Sequence, residues 1–504
     1  MTAQVCCVDH ERPGTKVIAG RWFCDEHYTK ATHKRSTVWR SAIIAVVGLL
    51  VFVAAVIALE RALNPDLTGA ALMVTGVVLA IVPAGIWLFF FYLQDRLEPE
   101  PVGNVARMFV IGLALAGAVG IPLTDQLFRV QEWLYRDSGT GIGLTQALGS
   151  LFILGGVEAF IIFATVRYFI FDSPEFDERT DGVVYATAAA LGYATALNLQ
   201  FILSSGGAEL GGAEVFVAEV ALAQAAFGGL LGYFLGRAKL EQEPVWWLSS
   251  GLLLTSVLIG AFHVLSGIVD PGTIGRAGAG GLPSFTGLLL AGGLAIVVTV
   301  IVAFLVNRDI GRSLSDKQPA ATTEPTVGDR QSNLAVVATF AVLIVAGGIV
   351  WNGAVNGTTA FTQGGFKGAY PAYFGTATQE GDVLRVADNL NTGAEFTIAT
   401  PALEGTPTDA GVAAQLAGDR STTYSVYRVV EKGEATVSGK KALTQRFAYV
   451  DAGELTGSVP QVMEGIDYII VDGNRVIVIT LLASSDQLTA VEPLFARFLN
   501  SLSF

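Results

Sequence analysis

Long apolar runs separated by short polar stretches fill the first two thirds of this 504-residue chain. They suit spans near 41–59, 70–93, 105–123, 145–166, 182–203, 215–236, 247–269, 285–306 and 333–351. Each approaches the ~20 residues that cross a bilayer. Backbone groups in lipid must satisfy their own hydrogen bonds, so runs of this kind become helices. The expectation is a polytopic α-helical bundle of about nine spans with the lipid bilayer as its partner. Pro122 is expected to end the third span early. Only 15% of residues are charged, against about a quarter in a soluble protein. A net charge of -13 argues against nucleic acid as a partner. The first 37 residues are polar and do not read as a cleaved signal peptide.

Lysine and arginine set the expected orientation. Lys30, Lys34, Arg35 and Arg40 precede the first span, and Arg96, Arg167, Arg179, Arg237 and Lys239 fall on alternate loops. Arg308, Arg312, Lys317 and Arg330 precede the last span, while 204–214 carries no base. Arg129 and Arg136 weaken the contrast. The reading is a multi-pass plasma-membrane protein, N-terminus cytoplasmic and C-terminal region extracytoplasmic. Its parts are a tail (1–36), a bundle (37–306), a cytoplasmic linker (307–332), a ninth span (333–354), a flexible Gly-rich stalk (355–379) and a soluble α+β domain (380–504). In the last of these, "TYSVYRVV" and "NRVIVITLLA" read as strands and "VDGN" as a hairpin turn. Leu488, Val491, Leu494, Phe495, Phe498 and Leu502 share one face of a closing helix with Ser485 as N-cap.

The tail holds all three cysteines and three of the four histidines of the chain. "CCVDHERPGTKVIAGRWFCDEHY" contains two Cys-x-x-His pairs, Cys7/His10 and Cys24/His27, with Cys6 and His33 as substitutes for Cys7 and His27. Thiolate and imidazole are the ligands tetrahedral zinc prefers, and two such pairs make a closed structural site. The tail is too short to build a core, so a zinc ion would explain how it folds. Reduced thiols agree with a cytoplasmic location.

Polar side chains inside spans mark candidate functional sites. They are Glu158, Asn198, Gln200, Glu219, Gln224 and His263. A carboxylate and a histidine there can hold a metal that activates water, or can pair with each other and join helices. No paired broken helices or inverted repeat of a transporter are evident.

Several ordered motifs carry a resemblance. "FYLQDRLEPEPVGNV" (91–105), "GGVEAFIIFATVRYFIF" (155–171), "EFDERTDGVVYATAAALGYATALN" (175–198), "AQAAFGGLLGYFLGRAK" (223–239) and "LIGAFHVLSG" (258–267) resemble the PrsW family. These are intramembrane peptidases related to the CAAX prenyl-protease and bacteriocin-immunity group. The resemblance covers about residues 70–270. It implies a cavity of glutamates and histidines binding a metal that activates water, and catalytic roles for Glu158 and His263. The family's glutamate pair falls on Val157–Glu158 and its lysine on Ile161. The glutamate before asparagine falls on Leu197, leaving Asn198, and the histidine of the third motif falls on Gln224. Ser266 or Gly267 stands where asparagine usually follows the last histidine.

A hydrolytic zinc site needs about three protein ligands and an open position, so two are too few. Glu219, five residues before Gln224, points about 140° away from it. The expectation is a degenerate homologue, a pseudoenzyme that binds membrane segments or partners and signals across the membrane. The alternative is an active intramembrane metalloprotease with a second zinc in the bundle, cleaving a membrane-protein substrate such as an anti-sigma factor. Residues 380–504, through "IDYIIVDGNRVIVITLLASSDQLTAVEPLFARFLNSLSF", resemble the Mog1/PsbP-like α/β sandwich, in pattern rather than chemistry. That module contains no histidine or cysteine, which leaves binding of a protein or envelope component as its expected role.

Overall fold

The structure, a computed structural model, describes residues 5–6, 11–18, 21–32, 37–63, 69–92, 101–134, 144–204, 213–241, 243–266, 286–315, 327–372, 374–375, 377–388, 394–401, 406–424, 426–451, 461–473, 475–485 and 487–504. The chain divides into two compact units, 1–130 with 146–349 and 131–145 with 350–504.

The first unit opens with a short hairpin, β1 (Lys16–Ile18) and β2 (Arg21–Phe23), and the helix α1 (Asp25–Thr32). Long helices follow: α2 (Thr37–Leu63), α3 (Gly69–Tyr92) and α4 (Val102–Leu115). After the short α5 (Val130–Trp133) and α6 (Leu144–Gly149) come α7 (Gly156–Phe169), α8 (Arg179–Ser204), α9 (Ala213–Leu240), α10 (Trp246–Ser266), α11 (Thr286–Ser315) and α12 (Val327–Asn356). Among the described residues, seven helices are long and apolar enough to cross a membrane, and α2 and α3 contribute shorter apolar stretches, Val46–Ala58 and Met73–Phe89.

Two expectations change here. Pro122 does not end its helix: α4 runs on through π-helical turns, Ala116–Gly120 and Pro122–Leu127. The wider turns accommodate a residue with no N–H. The linker expected over 307–332 is shortened from both sides, because α11 continues to Ser315 and α12 starts at Val327.

Small residues set the packing of the bundle. A Cβ on Gly192 of α8 would collide with the Phe109 carbonyl of α4, and one on Gly112 with the Ala189 carbonyl. Gly182 of α8 and Gly232 of α9 face each other backbone to backbone. Close approach of this kind supplies the van der Waals contact that lipid, as apolar as leucine, cannot drive by exclusion. At one end of the bundle Lys239 Nζ donates to the Phe171 and Ser173 carbonyls, Arg179 pairs with Glu241 at 2.9 Å and Arg237 with Glu243 at 2.6 Å.

The second unit contains a hairpin of β3 (Thr358–Gln363) and β4 (Phe366–Pro371), then β5 (Thr378–Glu380), β6 (Val383–Ala387) and β7 (Glu395–Ala399). The helix α13 (Asp409–Thr423) leads to β8 (Tyr427–Val437), β9 (Lys440–Asp451), β10 (Gln461–Asp472), β11 (Arg475–Ser484) and α14 (Leu488–Ser501). Seven strands form an antiparallel sheet in the order β5-β6-β7-β11-β10-β9-β8. Alternation along β11 divides its side chains between two helices. Val476 and Val478 meet Val412 and Ala413 of α13, while Ile479 and Leu481 join Phe495 and Phe498 of α14.

Residues 355–379 are not a loose stalk along the hairpin. Gly364 and Gly365, both with positive φ, make its turn, and Phe361, Phe366 and Tyr370 enter the core beside Phe498 and Leu502. Ser485 does not cap α14 either: Gln487 is the N-cap residue, without a side-chain hydrogen bond. Thr408 does cap α13, accepting from Gly411 N at 3.2 Å. Thr408→Ala is expected to cost about 1 kcal/mol, read as a lower denaturant midpoint for the sheet unit.

Asp467 is fully buried in the sheet and held by Arg420 at 2.6 and 2.9 Å and by the Thr480 hydroxyl at 2.7 Å. Burial opposes the charge on Arg420, but its hydrogen bonds to and attraction by Asp467 outweigh that, so its pKa is raised.

Candidate functional site

Two clusters of chemically capable side chains stand out, one in the tail and one in the bundle. In the tail, β1 and β2 pair with Lys16 opposite Phe23. Cys24 follows β2 directly and α1 begins at Asp25, so His27 lies about one turn beyond Cys24. Cys6 is brought back by a bridge between Val5 and Pro13 and by its own N–H, which donates to the Arg12 carbonyl at 2.8 Å. Arg12–Glu26 at 2.6 Å and Lys16–Asp25 at 3.2 Å tie the hairpin side to the helix.

The result is three ligand atoms within 4.8 Å of one another, on Cys6, Cys24 and His27. His27 Nδ1 is 3.4 Å from Cys6 Sγ and 3.2 Å from Cys24 Sγ. The edge of a tetrahedron with metal–sulfur near 2.3 Å and metal–nitrogen near 2.0 Å is about 3.5 Å. The donor set and its spacing therefore fit a tetrahedral metal with one further ligand to come. Cys7 and His10, the other pair singled out in the sequence, lie outside the described residues, as does His33. Adjacent cysteines in an extended chain point in opposite directions, so Cys6 and Cys7 could not be ranked by spacing.

The bundle cluster is centred on α7. Leu144 to Phe169 is one continuous helical run, α6 and α7 joined by π-helical turns over Ser150–Gly155. Glu158 lies just past those turns, with 1% of its surface exposed. His263 of α10 places Nε2 at 2.6 Å from Glu158 Oε1. Gln224 of α9, fully buried, donates its amide Nε2 to Glu158 Oε2. Both carboxylate oxygens are thus engaged by side chains from two other helices. Phe262 sets an edge toward the His263 ring, centroids 5.8 Å apart.

The remaining polar residues go elsewhere. Asn198 donates to the Val217 carbonyl at 3.2 Å, joining α8 to α9. Gln200 donates to Asp125, an acid the sequence reading passed over because it sits beyond Pro122. Glu219 is turned away from Glu158, as helical geometry requires. A Cβ on Gly292 of α11 would lie 3.7 Å from Glu219 Oε1.

A hydrolytic metal centre asks for three protein ligands and a site for water. Glu158 and His263 supply two. The third polar group presents its amide N–H to Glu158 and keeps a buried Oε1 without a hydrogen-bond partner, and an amide oxygen is a hard donor that suits zinc less well than imidazole or thiolate. Among the described residues, the tail triad is the group of three or more His, Cys, Asp or Glu side chains close enough to share an ion. Counted over His, Cys, Asp and Glu, the bundle cluster is therefore one ligand short of a three-ligand metal centre. Gln224 was noted in the sequence as standing at a histidine position. Its bond to Glu158 was not legible there.

Known proteins bear on the same region. The family described as PrsW family intramembrane metalloprotease matches residues 100–306, which hold Glu158, Gln224 and His263. Protease PrsW of Bacillus subtilis (strain 168) is 30% identical over 194 residues, 37% of this chain and 82% of that protein. Protease PrsW of Geobacillus kaustophilus (strain HTA426) is 28% identical over 186 residues, 37% of this chain and 76% of that protein. The crystal structure of the Saccharomyces cerevisiae Ran-binding protein Mog1p is similar over 29% of this chain and 94% of that one, with 9% identity and a TM-score of 0.23. With 82% of a PrsW protein's length matched at 30% identity and the family model lying over the helices that build the Glu158 cluster, the chain belongs to the PrsW family of intramembrane proteins.

Proposed function

We propose that this is a degenerate member of its family, a plasma-membrane protein that binds a membrane partner and signals across the bilayer without cleaving peptide bonds. One observation carries the reading: Gln224, at the place of the family's histidine, donates to Glu158 and leaves a glutamate–histidine pair in place of a ligand set. Such a pair joins α7, α9 and α10 and keeps a buried carboxylate satisfied. The competing reading, an active metalloprotease with its own membrane substrate, would need Gln224 Oε1 or a group from outside this cluster as a third ligand.

The test is the metal content of the bundle. A chain lacking residues 1–36 is expected to purify with no zinc, and Gln224→His in the same chain to gain up to one per chain. Zinc in the unsubstituted bundle would overturn the proposal and restore the hydrolase, with Glu158 and His263 as its ligands.

The tail is assigned a structural zinc on Cys6, Cys24 and His27, with Cys7 or His10 as the fourth ligand. Thiolate and imidazole in a closed tetrahedral set favour zinc over harder ions. The tail and the Arg167, Arg237 and Lys239 end of the bundle are assigned to the cytoplasm. The sheet unit is assigned to the outside, where it is a candidate binding module.

A further inference from the structure

The helix α12 lies beyond residues 100–306, the segment shared with the family. Most of it faces outward: Leu334, Val342, Val345 and Ile349 are each 64–70% exposed. One seam does not. Arg167 Nε donates to Asn333 Oδ1 at 2.8 Å. Val336 is fully buried. Phe340 stacks on Phe160, centroids 3.9 Å apart and planes 6° from parallel. A Cβ on Gly156 would lie 3.4 Å from Leu343 Cβ, and one on Gly347 would press on Ile153 Cγ1 at 2.6 Å.

Positions 333, 336, 340, 343 and 347 alternate steps of three and four, the spacing of a coiled-coil seam. Their partners descend from 167 through 160 and 156 to 153, so α12 runs antiparallel to α7. At 100° per residue, Gly156, Phe160 and Arg167 lie about 160–200° around α7 from Glu158. The seam therefore grips the face of α7 opposite the one that carries the carboxylate. Phe340 and Ile344 also pack with Val157 and Ile161, which flank that face.

We propose that α12 is a positioning helix, and that Phe340 and Leu343 hold α7 at the height and rotation that bring Glu158 to His263. This rests on the Glu158–His263 pair being the family site of this chain, whether or not hydrolysis survives there. The helix α7 also packs against α4, α8, α9 and α10, and the seam adds a contact on the face away from Glu158 that a rotation of α7 would loosen. A state of α12 is thereby read at Glu158.

The test follows the imidazole nitrogens of the full-length protein labelled at histidine, with His263→Gln assigning the signal of His263. Phe340→Ala with Leu343→Ala is expected to shift that signal toward that of an imidazole without a carboxylate partner. Val342→Ala with Val345→Ala, on the outward face, is expected to leave it in place. Coincidence of the seam variant with the parent would overturn the proposal. If the seam variant does not fold, p-benzoylphenylalanine at position 340 decides: adducts within 153–164 of the same chain support the seam, and adducts only to lipid or to another chain overturn it. Zinc found in the bundle would end the degenerate reading but leave this comparison intact, so the two proposals fail separately.

Discussion

Cys24→Ser is expected to take the full-length protein from one zinc per chain to none and to unfold residues 5–32 while the bundle stays folded. The effect is large because the tail's other ties are a short hairpin, exposed ion pairs and the contact of β1 with α11. Its described core is Cys6, Phe23 and Cys24, and structural zinc in small modules contributes on the order of 10–16 kcal/mol. A chelator should act like the substitution, and low pH should reverse the site as the thiolates and imidazole take up protons. Zinc content by atomic absorption and amide exchange across residues 11–32 make the check. Full protection of the hairpin after the metal has been removed would refute the assignment.

His263→Ala is expected to lower bundle stability by about 3–5 kcal/mol, the usual cost of orphaning one member of a buried pair. His263→Leu combined with Glu158→Leu is expected to recover most of it, since replacing both members of a buried polar pair by apolar groups of similar volume is often neutral. Unfolding in mixed micelles, followed by tryptophan fluorescence, would give the cycle. Recovery of stability is expected on either reading, so activity separates a structural pair from a catalytic one. A working protease would regain stability in the double variant and still lack activity, whereas a pseudoenzyme would lose nothing else that depends on hydrolysis. Equal destabilisation by the single and double variants would mean that the pair is not the main contact of Glu158.

The bundle was legible because crossing a bilayer is a demand on composition: a run of ~20 apolar residues has few alternatives to a helix. Glu158 and His263 were legible for the same reason, since a polar group in such a run needs an explanation. Which groups answer each other was not. Asn333 and Arg167 meet across 166 residues, and Gln224 and Glu158 across 66. A local pattern fixes a helix and its face but not the neighbour that face receives. Pro122 misled because proline was weighed against an α-helix, while wider turns tolerate it. The hairpin at 358–371 is hidden in the sequence because glycine next to aromatic residues reads as looseness. Gly364-Gly365 was in fact a turn signal, of the kind read correctly at "VDGN". There β10 and β11 pair through Asp472 and Arg475, with positive φ at Gly473.

The way the sheet unit is fastened sets an order of events during biosynthesis. Ser503 exchanges two backbone hydrogen bonds with Lys367, at 2.8 and 3.0 Å, and Ser501 bonds both backbone groups of Ala369. Contacts that span 132 residues cannot form until the later partner has been made. At 5–20 residues per second the ribosome needs on the order of ten seconds for that stretch. Through that interval α12 has been synthesised while the hairpin that follows it lacks its C-terminal cover, with Phe361, Phe366 and Tyr370 short of Phe498 and Leu502. A nascent chain in this condition is a client for a holding chaperone. A nascent protein halted anywhere before residue 501 should be cleaved by added protease within 358–371, and one released after Phe504 should resist.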